Sequence, residues 1–243
     1  MALYQLKIEY DGTDFLGFQK QGKGRTVQAE IETALQEMGW KGRGIQSAGR
    51  TDTGVHASGQ VISFEFETSL TKEMLQKALN ALLPADVAIE DIQFAPKGFH
   101  PRFSAKARRY VYRLYCREQR NPLMDRFSWH VWPVVDFNLL KDCATMLIGE
   151  HDFRAFGKPP REVSGSIRKI LAAAWKRYEG GYRFEVTGNA FLYHMVRRMV
   201  FLQVRVAQGR ITIQDLQSAI NGDLSIKPGI APAHGLELRE IVY

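Results

Sequence analysis

GRTDTGVHASGQVISFEF, residues 49–66, sets one carboxylate, Asp52, between an arginine and two glycines, then runs into apolar–polar alternation. Residues 61–66 read as a strand with Ile62, Phe64 and Phe66 on one face. Asp52 is therefore expected on a Gly-punctuated loop that a sheet holds at one end, where scaffolds present side chains for chemistry. With extended backbone at Arg50 and Asp52, a period of two puts both side chains on one face. The guanidinium would then favour the ionised carboxylate. Gly49 and Gly54 permit turns or close approaches that a β-carbon blocks. The residues themselves leave two readings open: a chemically active carboxylate, or a surface ion pair closing a turn and worth about 0–1 kcal/mol.

Outward from this loop, the first half reads as β-α-β-β-α-β. Residues 4–10 alternate as a strand and end at the turn signal Asp11-Gly12. Val27, Ile31, Ala34, Leu35 and Met38 form one helical stripe that Gly39 stops. Residues 45–48 and 61–66 are strands flanking the Asp52 loop. Thr71 caps a helix reaching Leu83, ended by Pro84, and 87–94 is a further strand. The second half has a similar outline, with strands at 110–116, 182–186 and 236–243 and helices at 138–148 and 212–220. A third helical stripe runs through Leu192, Val196, Met199, Val200, Val204 and Ala207. The echo between halves is weak and no repeat is measurable. Two domains are expected, 1–103 and 104–243. Segment 96–107 serves as a linker and 154–166 as a mobile loop.

The chain has 243 residues, a formal charge of +7 and an isoelectric point near 9.4. That balance suits an anionic partner without proving one. Cys116 and Cys143 are the only cysteines and are far apart, which favours a reducing cytoplasm over a disulfide framework. The start of the chain is too polar for a signal peptide, and no apolar run reaches the roughly 18 residues of a membrane span. The six histidines show no metal-binding spacing.

Two more segments interleave cations and rings. Residues 99–112 carry Phe99, His100, Arg102, Phe103, Lys106, Arg108, Arg109, Tyr110 and Tyr112. This fits a nucleic-acid surface, or equally a strand with core aromatics and solvated arginines. In residues 188–199, Arg197 flanks the apolar stripe, where a snorkelling arginine at the rim of a buried helix also belongs.

The Asp52 stretch resembles GRTDxGVHAxGQV, the active-site motif of the TruA family of tRNA-modifying pseudouridine synthases. Residues 99–112 resemble its FHARFSAxxRxYxY, and 188–199 its xAFLxHMVRxMVGxL. Weaker matches follow in family order: Tyr10-Asp11-Gly12 with residues 15–19, then 80–86, then 149–156, then Gly235-Leu236-Glu237-Leu238. The resemblance implies isomerisation of uridine to pseudouridine at nucleotides 38, 39 and 40 of the tRNA anticodon arm. The implied enzyme is a cytoplasmic homodimer with no cofactor and no metal. The implied fold is α+β: two related domains, with mainly antiparallel sheets meeting around a central basic cleft.

By the same resemblance, Asp52 is the catalytic residue. It acts as nucleophile at C6 or C1′, or as stabiliser of a glycal pathway. Tyr110 stacks on the base and assists proton transfer, Arg50 helps hold the flipped state open, and Arg197 pairs with Asp52. Arg102, Arg108, Arg154, Lys158 and Arg161, in the linker and loop segments, are the expected RNA contacts. A synthase with another RNA target and a non-catalytic RNA-binding protein are the alternatives. The chain departs from the family at Phe201, where glycine is usual, at Val206-Ala207, which lacks another glycine, and at Pro101 in place of alanine. Asp11, Asn80 and Asp152 read as turn or capping residues.

Overall fold

The computed structural model describes residues 1–159, 165–224 and 229–243. The chain divides into two compact units. One comprises Met1–Lys106 with Glu237–Tyr243, the other Ala107–Leu236. The sequence reading had placed the boundary at 103/104 and the C-terminal strand in the second half.

In the first unit, β1 (Ala2–Tyr10) is followed by α1 (Val27–Glu37), β2 (Gln46–Ser47), β3 (His56–Phe66), α2 (Lys72–Leu82) and β4 (Val87–Phe94). The sheet runs β4-β1-β3, and β2 pairs with β3; all these ladders are antiparallel. The C-terminal strand lies parallel to β3 through Glu237↔His56 and Leu238↔Ala57, which is why it belongs to this unit. That approach needs Gly59, where a β-carbon would stand 2.1 Å from the Arg239 carbonyl oxygen.

The expected local signals operate. Thr71 N-caps α2 as expected, accepting from Met74 N, and Thr26, which the sequence reading did not single out, accepts from Ala29 N in the same way. Gly39, at φ +89°, turns the chain out of α1. Asn80, expected in a turn or cap, lies instead within α2 and ties it to β4, donating to Ile89 O (2.9 Å) and accepting from Ile89 N (2.7 Å).

One boundary shifts. β3 begins at His56, five residues before the alternation that revealed it. In its first half every residue but Ser58 is buried, the polar His56 and Gln60 included.

In the second unit come β5 (Ala107–Cys116), α3 (Pro122–Asp125), β6 (Trp129–Val131), α4 (Phe137–Met146), β7 (Gly149–Asp152), β8 (Ile167–Tyr178), β9 (Gly181–Gly188), α5 (Met195–Ala207) and α6 (Ile213–Ile220). The C-terminal strand, Leu236–Val242, is β10. The sheet of this unit runs β7-β8-β9-β5 with antiparallel neighbours, and β6 adds in parallel to β5. Its core buries Tyr112, Tyr115, Trp175, Phe184, Val186 and Met199. One polar pair is sealed in with them. Trp175 Nε1 donates to Gln203 Oε1 at 2.8 Å, and Gln203 Nε2 donates to Met199 O at 3.0 Å. Thr212 and Asp215 form a reciprocal capping box at the start of α6.

Phe201, which stands where the family usually has glycine, lies on Gly229. A β-carbon at Gly229 would be 2.0 Å from Phe201 Cζ. The loss of one glycine is thus accommodated by the bareness of another. Within 154–166, read as a mobile loop, Phe156 is fully buried and Lys158 bridges to Tyr193. Both units are α+β with mainly antiparallel sheets.

Candidate active site

Asp52 sits half-buried on the loop between β2 and β3, and the backbone around it is fixed at successive points. Gln60, on β3, has no exposed surface. Its Nε2 donates to Gly49 O at 2.8 Å, while its Oε1 accepts from Gly49 N at 3.3 Å and Val61 N at 3.2 Å. Thr51 is held by its hydroxyl, 2.8 Å from Tyr10 Oη, and by its carbonyl, which accepts from Phe18 N at 3.1 Å. Gly54, at φ +75°, donates to Phe15 O, and Val55 N closes a turn on Asp52 O at 3.2 Å. Gly12 N donates to His56 Nδ1 at 3.0 Å, and a β-carbon at Gly12 would be 2.0 Å from Val55 O.

Segment 10–18 is therefore the cradle of the Asp52 loop. Sequence reasoning gave Tyr10, Thr51 and Gln60 no such role. The available signals were the match of residues 10–12 and 15–19 to a family motif and the place of Thr51 and Gln60 inside GRTDxGVHAxGQV. Asp11 behaves as expected, accepting from Thr13 N and Thr13 Oγ1 in its own turn.

One expectation fails. Arg50 is exposed and forms no hydrogen bond or ion pair among the described residues, so the Arg50–Asp52 pair read from spacing does not form.

The Gln60 clamp carries a prediction. Gln60→Met keeps the volume but leaves Gly49 N–H and C=O without their partners, a cost of about 1–3 kcal/mol for buried groups. Thermal stability should fall by about that amount. Single-turnover rates should drop about tenfold or more as the loop loosens, while RNA affinity holds. An unchanged single-turnover rate would show that Asp52 does not depend on this clamp.

In the second unit, several of the expected residues converge on segment 189–197. Tyr110, half-buried on β5, meets the Phe191 ring edge-on, with centroids 5.1 Å apart. Arg108 Nη1 donates to Asn189 O at 2.8 Å. Lys158, exposed, accepts Tyr193 N at its carbonyl. Arg197, the third residue of α5, donates from Nε to Ala231 O at 2.8 Å, and its own carbonyl accepts Ala231 N. Beside it, burial pushes the Tyr112 phenol well above its usual range, against the opposing charge of Arg197. The hydroxyl stays protonated and donates to Pro232 O at 2.8 Å.

Two cations are already engaged. Arg154 is paired with Asp152, which also accepts from Ser166; chiefly through Arg154, the carboxyl is held near pKa 2. Arg109 is bound to Glu185 at 2.8 Å. Burial would raise the Glu185 carboxyl, but hydrogen bonds from Arg109 and Lys176 and the charge of Arg183 outweigh it and leave it below its usual range. Arg102 stands with its guanidinium 5.7 Å from the Phe103 ring centroid. Arg161 lies outside the described residues. Among the described residues, no cluster of His, Cys, Asp or Glu could hold a metal ion, and no helix is long and apolar enough to cross a membrane.

The family model for tRNA pseudouridine synthase matches residues 7–104 and 143–243. This chain belongs to that family. A tRNA pseudouridine synthase A of Latilactobacillus sakei is 38% identical over 99% of this chain and 98% of its own. One of Geobacillus sp. is 38% identical over 97% and 96%, and one of Syntrophotalea carbinolica 36% over 100% and 97%. Among solved structures, a chain of a Cbf5-Nop10-Gar1 complex covers 96% of this chain and 47% of its own, at 15% identity and a TM-score of 0.34. The stretches matched by the tRNA pseudouridine synthase model contain Arg50, Asp52, Arg102, Arg154, Lys158, Arg161 and Arg197, whereas Arg108 and Tyr110 fall between them.

Proposed function

We propose that the chain isomerises uridine to pseudouridine at nucleotides 38, 39 and 40 of the tRNA anticodon arm, with Asp52 as its catalytic carboxylate. The observation that carries this reading is the rigid presentation of Asp52, its loop held at Gly49, Thr51, Gly54 and Val55, in a chain whose full-length relatives bear that activity's name. The reaction breaks the C1′–N1 bond and forms a C1′–C5 bond in the same nucleotide. The C5 proton leaves and N1 gains one, so atoms and electrons balance without a co-reactant. The base must leave the stack, at a cost of about a few kcal/mol that protein contacts offset. Tyr110 stacks on the uracil and handles the C5 proton, while Arg197 and Arg50 serve the same nucleotide by holding charge and the flipped state. The enzyme works as a homodimer in the cytoplasm, consistent with tRNA as its substrate and with two unpaired cysteines.

Arg102, Arg108, Arg154, Lys158 and Arg161 supply phosphate contacts. Each lost contact should lower the slope of log affinity against log salt by about 0.7–0.9. Arg154→Ala should give the smallest change, because Asp152 already neutralises that guanidinium. Titrations of tRNA from low to moderate salt check this; five unchanged slopes would place the phosphate path elsewhere.

The function itself is tested by mapping pseudouridine in cellular RNA before and after treatment with the purified protein. New pseudouridine confined to nucleotides 38–40 of tRNA is the expected result. Modification of other RNA sites would redirect the assignment to another target, and binding without modification would make the chain an RNA-binding protein.

A further inference from the structure

Phe103 is 74% exposed, yet the loop beneath it is firmly built. Ser104 N donates to His100 O at 2.9 Å, His100 N to Ser104 Oγ at 3.1 Å, and Arg102 N to His100 Nδ1 at 3.1 Å. From below, Tyr243 Oη donates to the carbonyl of buried Pro101 at 3.0 Å, and the Tyr243 ring lies 5.0 Å from that of Phe99. The Phe103 ring is backed by the His100 imidazole, with centroids 4.4 Å apart and planes at 42°, and attended by the Arg102 guanidinium. So exposed a ring adds little to the core. Nor is it the frayed end of a loose loop, since bonds on both sides hold its backbone.

We propose that Phe103 is a stacking platform for an unpaired base of the bound RNA, with Arg102 beside it for the adjoining phosphate. Exposed rings flanked by cations are how single-stranded segments are held, because every base has a flat face and every linkage a charge. The charge of its own segment favours a nucleotide over a second copy of the chain. Between Asp91 and Lys106 there is no acidic residue, whereas Lys97, Arg102 and Lys106 itself lie in that stretch. Protein–protein interface cores are depleted of lysine and built from several apolar side chains. Here the groups that meet the ring are the His100 imidazole and the Arg102 guanidinium. The proposal rests on the RNA reading above and adds the residue that reads a base face.

The test uses full-length Phe103→Ala, Phe103→Leu and Phe103→Trp proteins, with the tRNA substrate, beside wild type. Phe103→Trp should bind tRNA like wild type. Phe103→Leu and Phe103→Ala should bind about 5- to 100-fold more weakly. The salt slope should stay at the wild-type value in all three, because a phenyl ring neutralises no phosphate, whereas Arg102→Ala should lower it. Melting temperature and sedimentation should be unchanged, given the exposure of the ring. The platform is overturned if Phe103→Ala binds as wild type does, if Phe103→Trp is as weak as Phe103→Ala, or if the loss of affinity follows a loss of self-association. A wild-type chain that modifies tRNA, beside a Phe103→Ala chain of equal affinity, removes the platform and leaves the function standing. A wild-type chain that neither binds nor modifies tRNA removes both.

Discussion

Asp52→Asn should bind tRNA as wild type does and form pseudouridine at least about a thousandfold more slowly. The two halves of this expectation have separate physical grounds. Binding is spread over many phosphate contacts, so removing one carboxylate barely alters it. The loop also keeps its shape. Its ties run through Gln60 to Gly49, through Tyr10 and Phe18 to Thr51, and through backbone groups of Phe15, Gly54 and Val55. Asp52 takes part in these through its main-chain carbonyl, which asparagine retains. What asparagine lacks is the charge and the nucleophilic oxygen pair. Circular dichroism and a melt matching wild type, together with single-turnover assays, check the prediction. A folded Asp52→Asn protein turning over at near the wild-type rate would remove Asp52 from the chemistry.

Tyr110→Phe should lower single-turnover rates about 10²- to 10⁴-fold, the range expected when a positioned acid–base group is lost. Affinity should change little, because the ring remains to stack on the base. Phenylalanine also keeps the edge-on contact with Phe191, so stability should be near wild type. Tyr110→Ala should lose both affinity and rate. Were Phe fully active and Ala inactive, the ring alone would matter and the proton would be handled elsewhere.

Much of the fold was legible where short-range physics decides it. Thr71 was legible as a helix cap because its side-chain oxygen reaches a backbone donor three residues on, and Thr26 and Thr212 cap α1 and α6 by the same geometry. β1 alternates because one of its faces is more covered than the other. β8 escaped notice for an identifiable reason. Its register shifts between Ile170 and Ala172, so the buried positions Arg168 and Ile170 fall out of phase with Ala173 and Trp175. A bulge breaks the period of two on which strand reading depends. The parallel docking of β10 on β3 was hidden too, since no local pattern encodes a partner some 180 positions away.

The site shows the same divide. Resemblance picked out Asp52, Tyr110 and Arg197, whose residue types alone fit blander roles as well. The loop's supports were invisible because they act over distance: Gln60 reaches back 11 residues to Gly49, and Tyr10 forward 41 to Thr51. Arg50 was misjudged as a partner of Asp52 because a spacing of two does not by itself bring two side chains into contact. Arg154 was read as a free cation from its loop position, yet Asp152, two residues earlier, takes it.

The most direct measurement is tritium release from tRNA carrying C5-tritiated uridine. Pseudouridine formation joins the sugar to C5 and expels the hydrogen there, so each turnover frees one tritium from a modified site. Purified wild-type protein should release tritium in proportion to the uridines at nucleotides 38–40, and Asp52→Asn should release none above background. No release from a folded, tRNA-binding wild-type protein, or equal release from Asp52→Asn, would contradict the assignment of Asp52-dependent pseudouridine synthesis to this chain.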